Sequence, residues 1–217
     1  MGKTFEDTPM YKGLVMLNDY LEKTDCEPVS LNVIGGFAMI VHGFKDAYAT
    51  DIDYVGKNAF DDEAIYGVID RIGAKVGLTR GWINNDVMLS GTTLEDLEVS
   101  TGKLHFHDAF DLSRIHVAVL DAKDLLRMKV LAVDTALTAV EHGGDFTRMK
   151  DLPDIAVLMD SRKLDVLGLE LETYRQCEIA DRTYELIADY LKTRDIGKTM
   201  EKYLPKEDTD KKKSIQR

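Results

Sequence analysis

The spacing of apolar and polar residues predicts alternating helices and strands near the start of the chain. Thr8-Pro9 is a typical helix start, and the apolar residues after it recur at helical spacing, which predicts a helix from about 9 to 24. A β-favouring stretch at 29–34 then meets Gly35-Gly36, and the apolar residues 37–41 fit a short helix. The sequence therefore predicts a strand, a glycine turn and a helix, in that order.

The pattern continues with three more strands and one more helix. Polar and apolar residues alternate over 50–55, as they do in a strand with one exposed face, and residues 62–75 carry apolar positions in helical register. Residues 77–91 show no regular period, so we expect irregular structure there. Two further strands are predicted at 103–107 and 115–120.

Beyond residue 121 every predicted element is helical. Asp121 is placed to cap a strongly amphipathic helix at about 122–141, and further helices are predicted at roughly 147–161, 165–176 and 178–193. Strands confined to the first part of a chain and helices confined to the second are typical of an α+β protein. We therefore expect a sheet layer followed by a helical layer.

The same division predicts the domain organisation. Residues 1–121 are expected to form a core that contains the sheet, residues 122–205 a helical region packed on that core, and residues 206–217 a charged tail. The sequence contains no internal repeat, and no Pro- or Ser-rich linker separates these parts. The boundary near 121 is therefore approximate, and the two parts can share one core.

The net charge and the cysteines limit which partners and which cellular location fit this chain. With 28 Lys+Arg against 39 Asp+Glu, the net charge of the 217 residues is −11, which argues against nonspecific adhesion to nucleic acid or anionic membranes and favours cations or basic partners. The two cysteines, Cys26 and Cys177, lie outside any CxxC motif, which fits a reducing cytoplasm. The purest apolar run, 33–41, is too short to span a membrane, so we expect no membrane association.

Two short motifs carry the candidate chemistry. Gly35 and Gly36 directly follow a predicted strand, where they let the backbone approach a ligand, and the N–H groups that open the next helix suit a triphosphate. Asp51 and Asp53 are two residues apart on a strand, so both carboxylates leave the same face while Ile52 faces the core. Such a pair can hold two divalent cations about 3.5–4 Å apart.

In this order the motifs resemble those of the nucleotidyltransferase superfamily of DNA polymerase beta. That superfamily has a strand ending in two small residues, a short helix and an apolar-flanked Asp-x-Asp, seen here as Val33–Gly36, then fourteen residues, then Asp51–Tyr54. Downstream, Trp82–Asn84, Arg114–Ala132 and Lys150–Leu158 are similar to elements of bacterial AbiEii-type nucleotidyltransferase-like proteins. The resemblance covers residues 31–160.

The resemblance implies a nucleotidyltransferase fold, with a mixed sheet flanked by helices and a C-terminal helical bundle. It implies a Mg²⁺-dependent enzyme that moves a nucleoside monophosphate from an NTP to a hydroxyl acceptor. Relatives include toxins of toxin–antitoxin and phage-defence pairs, so tRNA or a protein is the implied acceptor and a cognate antitoxin the implied partner.

The resemblance also implies roles for individual residues. Lys129 and Asp151 match a helical lysine and a later aspartate of the active site, and Lys129 would pair with the outer phosphates. Lys45 occupies the region where such proteins commonly carry an arginine, and Thr50 precedes the aspartates, so both are candidates for nucleotide binding. The resemblance leaves the third metal-binding carboxylate unassigned, and Asp86, which follows Trp-Ile-Asn-Asn, is the first choice.

Simpler interpretations stand beside these. Asp121 is the second choice for the third carboxylate, and Lys129 could be an amphipathic-helix lysine with no role in the site. Trp82 could stack on a base, but such a tryptophan more often fills the edge of a core, and Asn84 could be only a turn residue.

Two other functions also fit the sequence. The net charge suits adenylyl transfer to a cationic small molecule such as an aminoglycoside. A further alternative is a catalytically silent protein that binds a nucleotide or a partner.

Overall fold

The structure, a computed structural model, describes residues 5–45, 49–56, 59–60, 63–86, 94–142, 147–162 and 179–203. Single 3₁₀ turns lie at Phe5–Asp7 and Thr147–Lys150. The remaining elements are, in chain order, α1 (Pro9–Lys23), β1 (Val29–Val33), α2 (Gly35–Val41), β2 (Ile52–Val55), α3 (Glu63–Val76), β3 (Ile83–Asn84), α4 (Leu94–Thr101), β4 (Phe106–Asp111), β5 (Ile115–Leu120), α5 (Ala122–Glu141), α6 (Asp151–Arg162), α7 (Asp181–Thr193) and α8 (Ile196–Met200).

The strands form one five-stranded mixed sheet in the order β3-β2-β1-β5-β4. Strand β1 is central: it runs parallel to β5 on one side and antiparallel to β2 on the other, and β2 in turn runs parallel to β3. The outer pair β4 and β5 is antiparallel. Helices flank this sheet, so the predicted α+β class with a mixed sheet is confirmed at that level.

Helix α1 follows from its capping residue and its apolar stripe. The Thr8 hydroxyl accepts a hydrogen bond from the Tyr11 N–H (3.1 Å), which satisfies one of the donors left open at a helix start, and Pro9 occupies the position where its missing N–H costs nothing. The residues facing the core are fully buried and lie three or four positions apart: Met10, Leu14, Leu17 and Leu21.

Trp82 belongs to the core between α1 and α3. Its side chain is fully buried, and its indole N–H donates to the Ile69 carbonyl (2.7 Å). Gly13 of α1 and Gly73 of α3 lie against the ring, because a Cβ on either would come within 2.7 Å or 2.4 Å of it. The interpretation that Trp82 stacks on a base is therefore wrong, because neither face of its ring is exposed to solvent.

Three elements differ from the sequence prediction. Strand β3 lies within the segment predicted to be irregular, and α4 was not predicted at all. The strand expected at 103–107 begins at Phe106 instead, because the backbone N–H of His105 donates to the Asp124 carboxylate (2.7 Å) and is diverted from strand pairing. The helix expected at 165–176 and the charged tail at 206–217 lie outside the described residues.

The chain forms two compact units, Met1–Leu125 and Leu126–Arg217. The N-terminal unit holds the sheet, whose strands β1 and β5 are lined by fully buried aliphatic residues. The described part of the C-terminal unit is helical, and α7 packs on both α6 and α8. No helix in the described ranges combines the length and apolar character needed to span a bilayer.

Candidate functional site

The glycine turn and the Asp-x-Asp strand are neighbours in the sheet. Strands β1 and β2 pair antiparallel with Val33 opposite Tyr54, and one step further the Ile34 N–H donates to the Asp53 carbonyl (2.9 Å). Gly35, the first residue of α2, therefore lies next to Asp53 of the neighbouring strand. This pairing places the two motifs that define the sequence resemblance at one position.

Gly35 itself lies against the Asp53 carboxylate. Its φ is +66°, in the left-handed region that side chains rarely adopt. A Cβ added to Gly35 would lie 2.8 Å from Oδ2 of Asp53, closer than Cβ atoms approach other atoms. The positive φ thus favours glycine here, and any side chain would also displace the Asp53 carboxylate, so the turn lies directly beside this acid.

Asp51 lies on the same side of the strand as Asp53. Both are half-buried, whereas Ile52 between them is fully buried, which is the alternation expected of a strand with one solvated face. The exposed Thr50 donates its hydroxyl to Asp51 Oδ1 (3.4 Å). The predicted common face of the two carboxylates is therefore present in the structure.

The chain that enters β2 also lies against the start of α2. A Cβ added to Gly36 would be 3.3 Å from the Ala49 Cβ, so Ala49 packs closely on the glycine turn. Lys45 is half-buried and follows the other end of α2. A seven-residue helix is roughly 10 Å long, so α2 separates the backbone of Lys45 from that of Gly35. The contact between Lys45 and phosphate stays a prediction.

Asp86 lies beyond the end of β3. Strands β2 and β3 pair in parallel with Asp53 opposite Asn84, so Asp86 follows the partner of Asp53 by two residues and is outside the paired strand. Asp86 is exposed, and its backbone N–H donates to the Asn84 side-chain oxygen (3.2 Å).

Asp121 lies on the other side of the glycine turn. Strands β1 and β5 are parallel with Val33 opposite Val119, so Asp121 follows β5 at the edge of the sheet where Gly35 follows β1. Its Oδ1 accepts the Lys123 N–H (2.8 Å). This contact confirms that Asp121 caps α5, so its carboxylate already has a structural role.

The donor set near Gly35 suits a hard divalent cation through Asp51 and Asp53, whereas the Asp121 carboxylate caps α5. In the part of the chain that the structure describes, no three or more His, Cys, Asp or Glu side chains are grouped so as to hold a metal ion. The structure therefore does not bring Asp86 together with Asp51 and Asp53. Two carboxylates on one face are nevertheless the oxygen ligands that Mg²⁺ uses in phosphoryl-transfer sites, and in that sense these residues fit it.

Lys129 and Asp151 are brought together within the C-terminal unit. The Lys129 ammonium lies 2.5 Å from Asp151 Oδ1 and 3.0 Å from Asp154 Oδ2, and all three side chains are at most 14% exposed. Burial lowers the pKa of Lys129, but the two carboxylates outweigh it and hold the pKa above its usual value of 10.5. The lysine is therefore a charged partner of two buried acids.

Two features of these clusters are not evident from the sequence pattern. Asp154 is a second buried partner of Lys129, although its spacing from Asp151 is equally typical of a pair on an exposed helix face. Asn84 lies beside Asp53, and only the pairing of β2 with β3 reveals it. In the sequence, only the position of Asn84 directly after the apolar pair Trp82-Ile83 indicates this placement. A two-residue strand has no period from which its pairing could be predicted.

The chain was compared with protein-family models, curated proteins and solved structures, and none of them matches it.

Proposed function

We propose that the chain is a Mg²⁺-dependent nucleotidyltransferase whose reacting centre lies at Gly35, Asp51 and Asp53. The observation that carries the proposal is the contact between the Gly35 backbone and the Asp53 carboxylate, where a Cβ would lie 2.8 Å from Oδ2. A backbone turn pressed against an acid is the arrangement needed to hold a phosphate chain beside the groups that bind its counter-ions.

Each part of the site has a role in this reaction. The turn at Gly35 and Gly36 offers the backbone N–H groups that open α2 to the triphosphate, and the Asp53 carboxylate lies where a Gly35 side chain would be. Asp53 in β2 and Asp51 directly before it supply two half-buried carboxylates beside this turn. The acceptor hydroxyl gives its proton to solvent water and its oxygen bonds to the α-phosphorus, while the bond from that phosphorus to the bridging oxygen breaks and pyrophosphate leaves.

Asp51 and Asp53 would hold the cations. When bound, divalent cations in such a site neutralise charge on the phosphates and lower the pKa of the acceptor hydroxyl. We place the reaction in the cytoplasm, in a toxin–antitoxin or defence setting with RNA or protein as acceptor, on the strength of the sequence resemblance and the cysteine usage.

A second candidate is a protein that binds the nucleotide without transferring it. It is favoured by the contacts of Lys129, whose ammonium is held by Asp151 and Asp154 within its own unit. A lysine that pairs with two buried carboxylates has to give up those contacts before it can bind phosphate.

Radiolabel transfer tests the proposal. Purified protein, Mg²⁺ and each α-labelled NTP are incubated with total cell extract and, separately, with an aminoglycoside. We expect label on one acceptor, and we expect the double variant Asp51→Asn with Asp53→Asn to abolish it because the cation ligands are gone. Asp19→Asn, an exposed residue of α1, is the matched charge control. Label that persists in the double variant would refute the assignment, and nucleotide binding with no labelled acceptor would favour the second candidate.

A further inference from the structure

Asn84 lies beside Asp53 and shares its face of the sheet. The two residues are directly opposed in the parallel pairing of β2 with β3, and their neighbours Ile52 and Ile83 are opposed in the same way. Ile52 and Ile83 are both buried, whereas Asp53 and Asn84 are both half-buried. Since directly opposed residues of neighbouring strands point to one face, the amide and the carboxylate emerge together on the solvated side.

The spacing of the strands lets both side chains reach one ion. Neighbouring strands lie about 4.8 Å apart, and aspartate and asparagine side chains have the same length. Mg²⁺ binds oxygens at about 2.0–2.1 Å, so oxygens from two directly opposed side chains can lie on either side of a single cation. Amide oxygens belong to the usual ligand set of hard cations, together with carboxylates.

The Asn84 amide is held in a fixed orientation. Its Oδ1 accepts the backbone N–H of Asp86 (3.2 Å), and its Nδ2 donates to the Gly81 carbonyl (3.4 Å). An amide oxygen carries two lone pairs, and the Asp86 N–H uses one of them. The second is available to a cation. In this arrangement Asp86 acts through its backbone N–H, which orients the Asn84 amide.

We propose that Asn84 is the third protein ligand of the divalent cation bound by Asp51 and Asp53, in the place that the sequence assigns to the Asp86 carboxylate. This inference rests on the proposed function, because it adds a ligand to the same site. It also gives the site a protein charge of −2 in place of −3. A site with fewer charged ligands binds the free cation more weakly, so the nucleotide phosphates supply a larger share of the binding.

Cation binding in the absence of nucleotide tests this inference directly. Mn²⁺ alone is titrated into the full-length protein, and bound Mn²⁺ is measured by electron paramagnetic resonance. We expect Asn84→Ala to weaken binding roughly tenfold and Asn84→Asp to strengthen it, because the second change adds a charged ligand of the same shape. Asp86→Ala should bind Mn²⁺ within about twofold of the wild type, since only its backbone is used. Asn85→Ala, one position further along, is the matched control.

The outcomes separate this inference from the proposed function. If Asp53→Asn weakens Mn²⁺ binding but Asn84→Ala does not, Asn84 is no ligand and the site itself stands. If neither variant changes binding, the cation site is wrong and the proposed function fails with it. Asn84→Asp preserves the shape of the side chain, so it yields a result even if Asn84→Ala fails to fold, and weaker binding in Asn84→Asp would also overturn the inference.

Discussion

Gly35 and Asp53 connect backbone geometry with chemistry. Gly35 has a positive φ, and its Cα lies where any side chain would strike the Asp53 carboxylate. A glycine in a simple turn needs only the first of these properties, and Gly77 is an example: its φ is +82°, but no atom lies within 4 Å of the Cβ position. The close approach at Gly35 is therefore specific to its position beside the acid.

Lys129 has a structural role that can be separated from any role in the reaction. Lys129→Met leaves Asp151 and Asp154 buried without their cation, so we expect it to lower the free energy of unfolding by about 3–5 kcal/mol. Because the folded-state pKa of Lys129 is raised from 10.5, the ion pair contributes fully below pH 10.5 and is lost only above it. The loss should be measured by urea unfolding at neutral pH.

A compensating variant provides the control for this prediction. Asp151→Asn in the Lys129→Met background removes one of the two stranded charges, so it should recover part of the lost stability. If Lys129→Met unfolds at the same urea concentration as the wild type, the ammonium is not held by these carboxylates and is available to phosphate.

At the scale of elements, the sheet order explains why the two motifs meet. Strand β1 lies between β2 and β5, so the glycine turn after β1 has Asp53 on one side and Asp121 on the other. The antiparallel pairing of β1 with β2 aligns the end of one strand with the middle of the other.

Most elements and half of the site could be predicted from the sequence. The helix that follows Thr8-Pro9, the glycine turn and β5 carry strong local signals: a capping hydroxyl, paired glycines and a continuous apolar run. The common face of Asp51 and Asp53 follows from alternation alone. Strand β3 could not be predicted, because two residues show no period and their pairing with β2 depends on contacts distant in sequence.

The same limit explains the assignment of Asp86. An acid shortly after a buried tryptophan is a natural choice for a third ligand, but its distance from Asp51 depends on strand register. Register is fixed by the pairing of Ile52 with Ile83, two buried residues whose partnership no local pattern reports. Asn84, one residue after Ile83 and two before Asp86, is paired with Asp53 instead.

The packing of α1 and α3 around Trp82 can be tested with two glycines of one helix. Gly73→Ala places a Cβ 2.4 Å from the buried ring, so we expect it to destabilise the protein by about 1–3 kcal/mol through overpacking. Gly67→Ala, also in α3, meets only the end of Arg71 at 3.5 Å, and it should be neutral or stabilising by up to about 1 kcal/mol. Urea unfolding followed by Trp82 fluorescence measures both. Equal effects of the two variants would show that Trp82 is not packed against Gly73.

For the whole molecule, the net charge of −11 constrains how an acceptor is recognised. A polyanion such as tRNA is repelled by the chain as a whole, so it would bind only through a local group of lysines and arginines and would dissociate as salt is raised. A cationic small molecule is attracted instead. The identity of the labelled acceptor therefore separates two recognition mechanisms that use protein charges of opposite sign: a local group of lysines and arginines for tRNA, and the acidic surface for a cationic small molecule.

The most direct test of the site is the affinity for a non-hydrolysable ATP analogue, measured by calorimetry with Mg²⁺ and again with EDTA. We predict that the wild type binds only with Mg²⁺ and that Asp53→Asn and Gly35→Ala each weaken binding roughly tenfold or more. Gly77→Ala is the matched control, because it imposes the same positive-φ strain where no neighbour is near. Wild-type affinity in both Asp53→Asn and Gly35→Ala, or binding that is unchanged by EDTA, would contradict a cation-dependent nucleotide site at this turn.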